Sequence, residues 1–129
     1  MHHVAVVCTA ALGLLLFVLG FAVSTVRYLD RTFTGYTPEP GHLLAKLVRA
    51  HGNTAEYAPF LAVLFLYLGS RNPAQWHLWL MVAATVCRFL VVVGLMAWPM
   101  SKPNPVRFVG AIGTYIFGAA LCAALLNGA

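Results

Sequence analysis

Charge is scarce in this chain. Only 9% of its 129 residues are Asp, Glu, Lys or Arg, against 61% hydrophobic, where an ordinary soluble domain carries about 25% charged residues. That shortage excludes a soluble globular domain and implies an integral membrane protein. At about 20 residues per span the chain can hold four membrane helices with short connections, leaving no room for a domain outside the bilayer. A single unit is therefore expected over residues 1–129. Cysteine is sparse too. Cys8, Cys87 and Cys122 stand singly in three apolar runs, without the paired spacing of a zinc site or a disulfide framework. No metal site is expected, and all three read as packing residues. The net charge of +5 does not require nucleic acid as a partner, because the Lys and Arg residues are scattered over loops and helix ends, where membrane topology accounts for them.

The first apolar run, about Val4 to Val26, has no charged residue and ends at Arg27. Ala22-Val23-Ser24 resembles a signal-peptide cleavage site, but the amino end lacks Lys and Arg and the run is too long for a signal-peptide core. It reads as a membrane span. His2 and His3 are too few for a metal-binding tract. The missing carboxylate in this span also argues against a small multidrug transporter, which has four short spans but should carry its membrane carboxylate in the first. Residues 27–42 form a polar connection with Arg27, Asp30, Arg31 and Glu39, interrupted by Gly35, Pro38, Pro40 and Gly41, which cannot continue a helix.

The second helix is expected from about Leu43 to Gly69, closed by a tight turn at Ser70-Arg71-Asn72-Pro73. The third covers about Ala74 to Trp98, with Trp76 and Trp79 at one end and Trp98 at the other as aromatic belts. Beyond Pro99, Lys102, Pro103 and Pro105, a last helix runs from about Val106 to Leu126. In it Gly110, Thr114, Gly118 and Cys122 recur every fourth residue, a spacing that lets two helices approach closely in lipid. The predicted fold is all-α, an integral membrane four-helix bundle with helices at about 4–26, 43–69, 74–98 and 106–126.

Basic residues flank the first connection (Arg27, Arg31, Lys46, Arg49) and the third (Lys102, Arg107), but only Arg71 lies at the second. The first and third connections should therefore face the cytoplasm. Both termini then lie on the non-cytoplasmic side, outside a bacterial inner membrane or in the lumen of an endoplasmic reticulum.

An ionisable group inside a span costs about 2.5–3.5 kcal/mol on insertion scales, so those that occur are candidates for function. Lys46, Arg49, Asn53 and Glu56 follow one another at intervals of three, four and three and line one stripe of helix two, with His51 on the opposite side. Arg88 lies about eleven residues from the cytoplasmic end of helix three, about 16 Å, and Glu56 about thirteen from that of helix two, about 20 Å. These depths predict a salt bridge between Glu56 and Arg88, within a subunit or across an interface. A pair that only fixes helix register needs no further cation. Arg49 and Asn53, stacked toward the cytoplasmic mouth, favour an anionic ligand entering from that side. Pro59 removes a backbone donor to Ala55 and should bend the helix locally.

Arg49-Ala50-His51-Gly52-Asn53, followed by Glu56 and Pro59, resembles the signature of the membrane-associated proteins in eicosanoid and glutathione metabolism, the MAPEG family. That family includes microsomal glutathione transferases, prostaglandin E synthase, leukotriene C synthase and the lipoxygenase-activating protein. The spacing of Glu56-Tyr57-Ala58-Pro59 is most similar to the leukotriene synthase branch and its short bacterial relatives, and the resemblance covers essentially the whole chain. It implies a homotrimer that binds glutathione as co-substrate between neighbouring subunits, at a site open to the cytoplasm. Arg49, Asn53, Glu56 and Tyr57 match glutathione-contacting positions, and Arg27 matches, more loosely, a basic residue that also reaches the tripeptide. Arg88 matches the buried arginine of helix three. Arg107 is the candidate for the catalytic arginine that stabilises the thiolate. The chain departs from the pattern after Arg88, where Val91 and Val93 stand in a stretch that often carries His and Tyr in bacterial relatives. Gly52 replaces a second basic position, and Lys46 lies near where an acidic residue is expected.

The implied activity is that of a membrane-bound glutathione transferase, with or without peroxidase activity, that attaches the activated thiol to a lipophilic electrophile reaching it through the bilayer. The alternative is a non-catalytic binding or scaffold protein on the same fold. The expected partners are the lipid bilayer, further copies of the chain, glutathione and a lipophilic small molecule, and the expected location is a bacterial inner membrane.

Overall fold

The structure, a computed structural model, describes residues 1–34, 39 and 41–127. The described residues form four helices and no strand: α1 (His3–Leu29), α2 (Leu43–Ser70), α3 (Gln75–Ala97) and α4 (Pro105–Asn127). Three of them, α1, α3 and α4, are long and apolar enough to cross a membrane. With 28 residues, α2 reaches about 42 Å, so its length suffices. What sets it apart is the polar first half with Lys46, Arg49, His51, Asn53 and Glu56. The helix is continuous through Pro59.

Local chemistry determines where the helices begin and end. His2 and His42 each cap a helix, their Nδ1 atoms accepting from the backbone N–H groups of Val4 and Leu44 at 3.2 Å. α1 continues past Arg27, where the apolar run stops, until Asp30 donates its N–H back to Val26 at 2.9 Å. Charge ends a membrane span without ending a helix. Gly35, Pro38 and Pro40, the expected helix breakers of this connection, lie outside the described residues. Between α2 and α3, Asn72 takes a left-handed φ of 56°, a conformation Asn tolerates in tight turns. α4 opens at Pro105, whose missing N–H costs nothing at the first helical position, behind a cap at Asn104.

α1 packs along α2 and also touches α3, while α4 packs along α3 and more lightly against α2. The buried apolar residues fall into two groups stacked along the bundle. Toward the α2–α3 turn, Cys8 and Leu12 meet Leu61, Leu64, Phe65, Met81 and Leu121. Toward the first and third connections, Leu19 meets Leu47, Ala50, Val91, Val92 and Leu95. Between these groups lies a polar layer formed by Asn53, Thr54 and Tyr57 of α2 and Thr85 and Arg88 of α3. The bundle has two apolar cores with a guanidinium between them.

Candidate functional site

Arg88 is the largest fully buried side chain, 1% exposed. Its Nη2 donates to Asn53 Oδ1 at 2.6 Å and to the Asn53 carbonyl at 3.0 Å, and its guanidinium carbon stands 5.0 Å from the centre of the Tyr57 ring. Buried Nε has no partner. Within the chain the expected Glu56–Arg88 pair is not formed; the ion pair among the described residues is His42–Asp30, 3.7 Å apart. The reason is register. Asn53 lies ten residues beyond Leu43 and Arg88 nine before Ala97, whereas Glu56 lies thirteen beyond Leu43, one turn too deep. Glu56 also sits about 120° around the helix from buried Ala50 at 3.6 residues per turn, and it is exposed.

The stripe on α2 divides among three surroundings. Lys46 donates its Nζ to the Met96 carbonyl at 3.1 Å, placing a cation on an unsatisfied acceptor in the last turn of α3. Arg49 and Asn53 face a cavity of about 140 Å³ between α2, α3 and α4, which Arg88, Arg107, Val91, Leu95, Ala111 and Tyr115 complete. Three arginine residues, Arg49 and Arg107 exposed and Arg88 buried, therefore line one small space, with no carboxylate among its lining residues. A space bordered by positive residues without a carboxylate suits an anion. Val91 forms an apolar wall of this space. Val93 lies on the outer face of α3, 49% exposed, so only one of the two departures after Arg88 reaches the cavity.

Glu56 and Tyr57 line a second, mostly apolar space of about 340 Å³ between α2 and α4, with Phe60, Leu61, Leu64, Thr114, Gly118 and Cys122. Tyr115 lines both cavities, and its ring centre is 5.8 Å from that of Tyr57. Arg107, in the first turn of α4, and Ala111 also border a third hollow of about 490 Å³, with Lys102, Asn104 and Phe108. It shares Arg107 and Ala111 with the arginine cavity. Arg27 lines none of these spaces; its Nη1 donates to the Phe33 carbonyl at 3.4 Å.

Two residues of the site escape sequence reasoning. Tyr115 looks like one more aromatic in an apolar helix, and nothing in the sequence marks it as shared between two cavities. Asn104 was legible in part, because Asn followed by Pro is a helix-start signal. Its carboxamide accepts at Oδ1 from the N–H groups of Val106 at 2.9 Å and Arg107 at 3.3 Å, and donates from Nδ2 to the Gly94 carbonyl at 2.8 Å.

Membrane-length apolar helices around a buried layer of arginine and carboxamide make this a multi-pass membrane protein. The chain belongs to the MAPEG family, whose family model matches residues 5–127. Members of that family are commonly glutathione-related transferases or synthases. Comparison with curated proteins and with solved structures gave no match.

Proposed function

We propose that this protein is a membrane-bound glutathione transferase, working as a homotrimer in a bacterial inner membrane with both termini on the non-cytoplasmic side. One observation carries the reading: Arg49, Arg88 and Arg107 face a single cavity that contains Asn53 and no carboxylate. Glutathione has two carboxylates and a thiol, and it is anionic at neutral pH. Arg49 and Asn53 bind its carboxylates near the mouth, and Arg88 holds Asn53 in place. Arg107 faces the thiol. Arg27, Glu56 and Tyr57, which lie outside this cavity in the single chain, contact the tripeptide across the boundary between neighbouring subunits.

The thiolate is the nucleophile, and a fixed guanidinium favours that form over the thiol. Lowering the thiol pKa by two units requires about 2.7 kcal/mol, within reach of one cation in a partly dry site. The thiol proton leaves to water, and the sulfur then attacks a lipophilic electrophile. The mostly apolar space between α2 and α4 shares Tyr115 with the arginine cavity, which supports an apolar acceptor held beside the thiol.

The test is a titration of the purified protein with glutathione, followed by thiolate absorbance in the ultraviolet, beside Arg107→Ala. The expected result is a thiolate signal at neutral pH that Arg107→Ala abolishes, with a loss of about 100-fold in turnover, the equivalent of two pKa units. Binding without a thiolate signal fits the second reading, a non-catalytic binding protein, which the apolar wall at Val91 favours. Absence of binding would remove glutathione as the ligand.

A further inference from the structure

The carboxamide of Asn104 does more than cap a helix. A capping side chain needs only an acceptor, which is why Ser, Thr and Asp serve as well as Asn. Oδ1 of Asn104 fills that role, accepting from the Val106 and Arg107 N–H groups. Its Nδ2 reaches across to α3 and donates to the Gly94 carbonyl at 2.8 Å. Gly94 belongs to the last four residues of α3, whose carbonyls lack partners within the helix. One side chain thus joins an orphan acceptor at the end of α3 to orphan donors at the start of α4. The reverse orientation of the amide would set its NH₂ against two N–H groups, so the bonding partners themselves define which end is which. Asn104 is buried, 7% exposed, between exposed Pro103 and exposed Pro105.

Gly94 holds the same junction from the other side. A Cβ on Gly94 would stand 2.7 Å from both the N and Cβ atoms of Arg107 and 2.9 Å from its Cα. The backbone of Arg107 therefore rests directly on α3, at the one residue whose carbonyl Asn104 binds. Arg88 and Asn53, on the far wall of the cavity, are fixed to each other independently of this junction.

We propose that Asn104 is the positioning residue for Arg107: clamped to Gly94, it sets the depth at which the guanidinium enters the cavity. This rests on the reading of Arg107 as the group that stabilises the glutathione thiolate. Ser at position 104 keeps a neutral capping oxygen but is too short to reach Gly94, so Asn104→Ser separates positioning from capping.

Two readouts on the full-length protein test the proposal. In the first, the pH at which bound glutathione ionises is compared between the wild type and Asn104→Ser. The expected result is retained binding with a midpoint raised by about one unit, which is about tenfold less thiolate below both midpoints. The second omits glutathione: phenylglyoxal modification of Arg107 is measured against that of Arg71, at the other end of the bundle, by peptide mass spectrometry. The Arg107 to Arg71 ratio is expected to change severalfold in Asn104→Ser.

If the wild type forms no thiolate, the reading of Arg107 fails and the modification ratio alone decides the positioning role. An unchanged ratio overturns that role in either case, as does a wild-type ionisation midpoint in the variant. Should Asn104→Ser not fold, Asn104→Thr, which also caps and is likewise too short to reach Gly94, carries the same two expectations.

Discussion

Arg88 is a cation between two apolar cores without a carboxylate of its own chain against it. Hydrogen bonds to a charged group contribute about 1.5–3 kcal/mol each, and a desolvated cation over an aromatic face about 2 kcal/mol. Together the two bonds to Asn53 and the Tyr57 ring offset an insertion cost of about 2.5–3.5 kcal/mol. This makes Asn53, not Glu56, the residue on which Arg88 depends within the chain. Asn53→Ala is expected to destabilise the detergent-solubilised protein by about 1.5–3 kcal/mol through loss of the Oδ1 bond. Glu56→Gln should shift stability by less than about 0.5 kcal/mol, as for an exposed site away from any network. Thermal or denaturant unfolding of both variants checks this, and a large loss in Glu56→Gln would instead reveal a pair between subunits. The sequence showed that Arg88 is deep and needs a partner. Choosing between residues one turn apart required the relative height of α2 and α3, which no local pattern encodes.

The contact between α3 and α4 shows the same division at the level of elements. The small residues Gly110, Thr114, Gly118 and Cys122 read as one close-packing stripe, but the structure gives them different neighbours. A Cβ on Gly110 would lie 2.7 Å from the Cys87 carbonyl oxygen and 2.8 Å from Val91 N, so here the two backbones are nearly in contact. Gly113, outside the stripe, lies against the sulfur of Cys87. Gly118 faces α2, where a Cβ would meet Leu61 at an ordinary 3.9 Å. Gly110→Ala should therefore cost about 1–3 kcal/mol by overpacking, and Gly118→Ala should leave stability nearly unchanged. Unfolding of the two variants side by side measures this, and equal losses would contradict the geometry. Periodicity reveals that a helix has a small face; a twist of a few tens of degrees decides which neighbour that face meets.

For the whole molecule, the asymmetry of Lys and Arg predicts an orientation, with the first and third connections facing the cytoplasm. Cysteines introduced at Lys102 and at Asn72 are expected to react with a membrane-impermeant reagent from opposite sides, Lys102→Cys only once the cytoplasmic face is opened. Labelling of both from one side would contradict the orientation. Arg27, Glu56 and Tyr57 lie outside the arginine cavity of the single chain, so a shared site predicts that mild crosslinking in detergent yields trimers. A protein that stays monomeric would remove the proposed subunit boundary.

By itself the sequence determined the all-α membrane class, four helices with their limits to within a few residues, the family, and that Arg88 lies deep. These follow from composition, hydrophobic run length and a local motif, all properties of short stretches of chain. Only the tertiary structure decided that Arg88 holds Asn53, that Lys46 serves the end of α3, and that Arg49, Arg88 and Arg107 share one cavity while Glu56 and Tyr57 line another. The physical reason is that an intramembrane charge must find a partner, and which partner it finds depends on relative helix height and rotation. Packing sets those two quantities, through contacts such as Gly94 against Arg107 and Gly110 against Cys87.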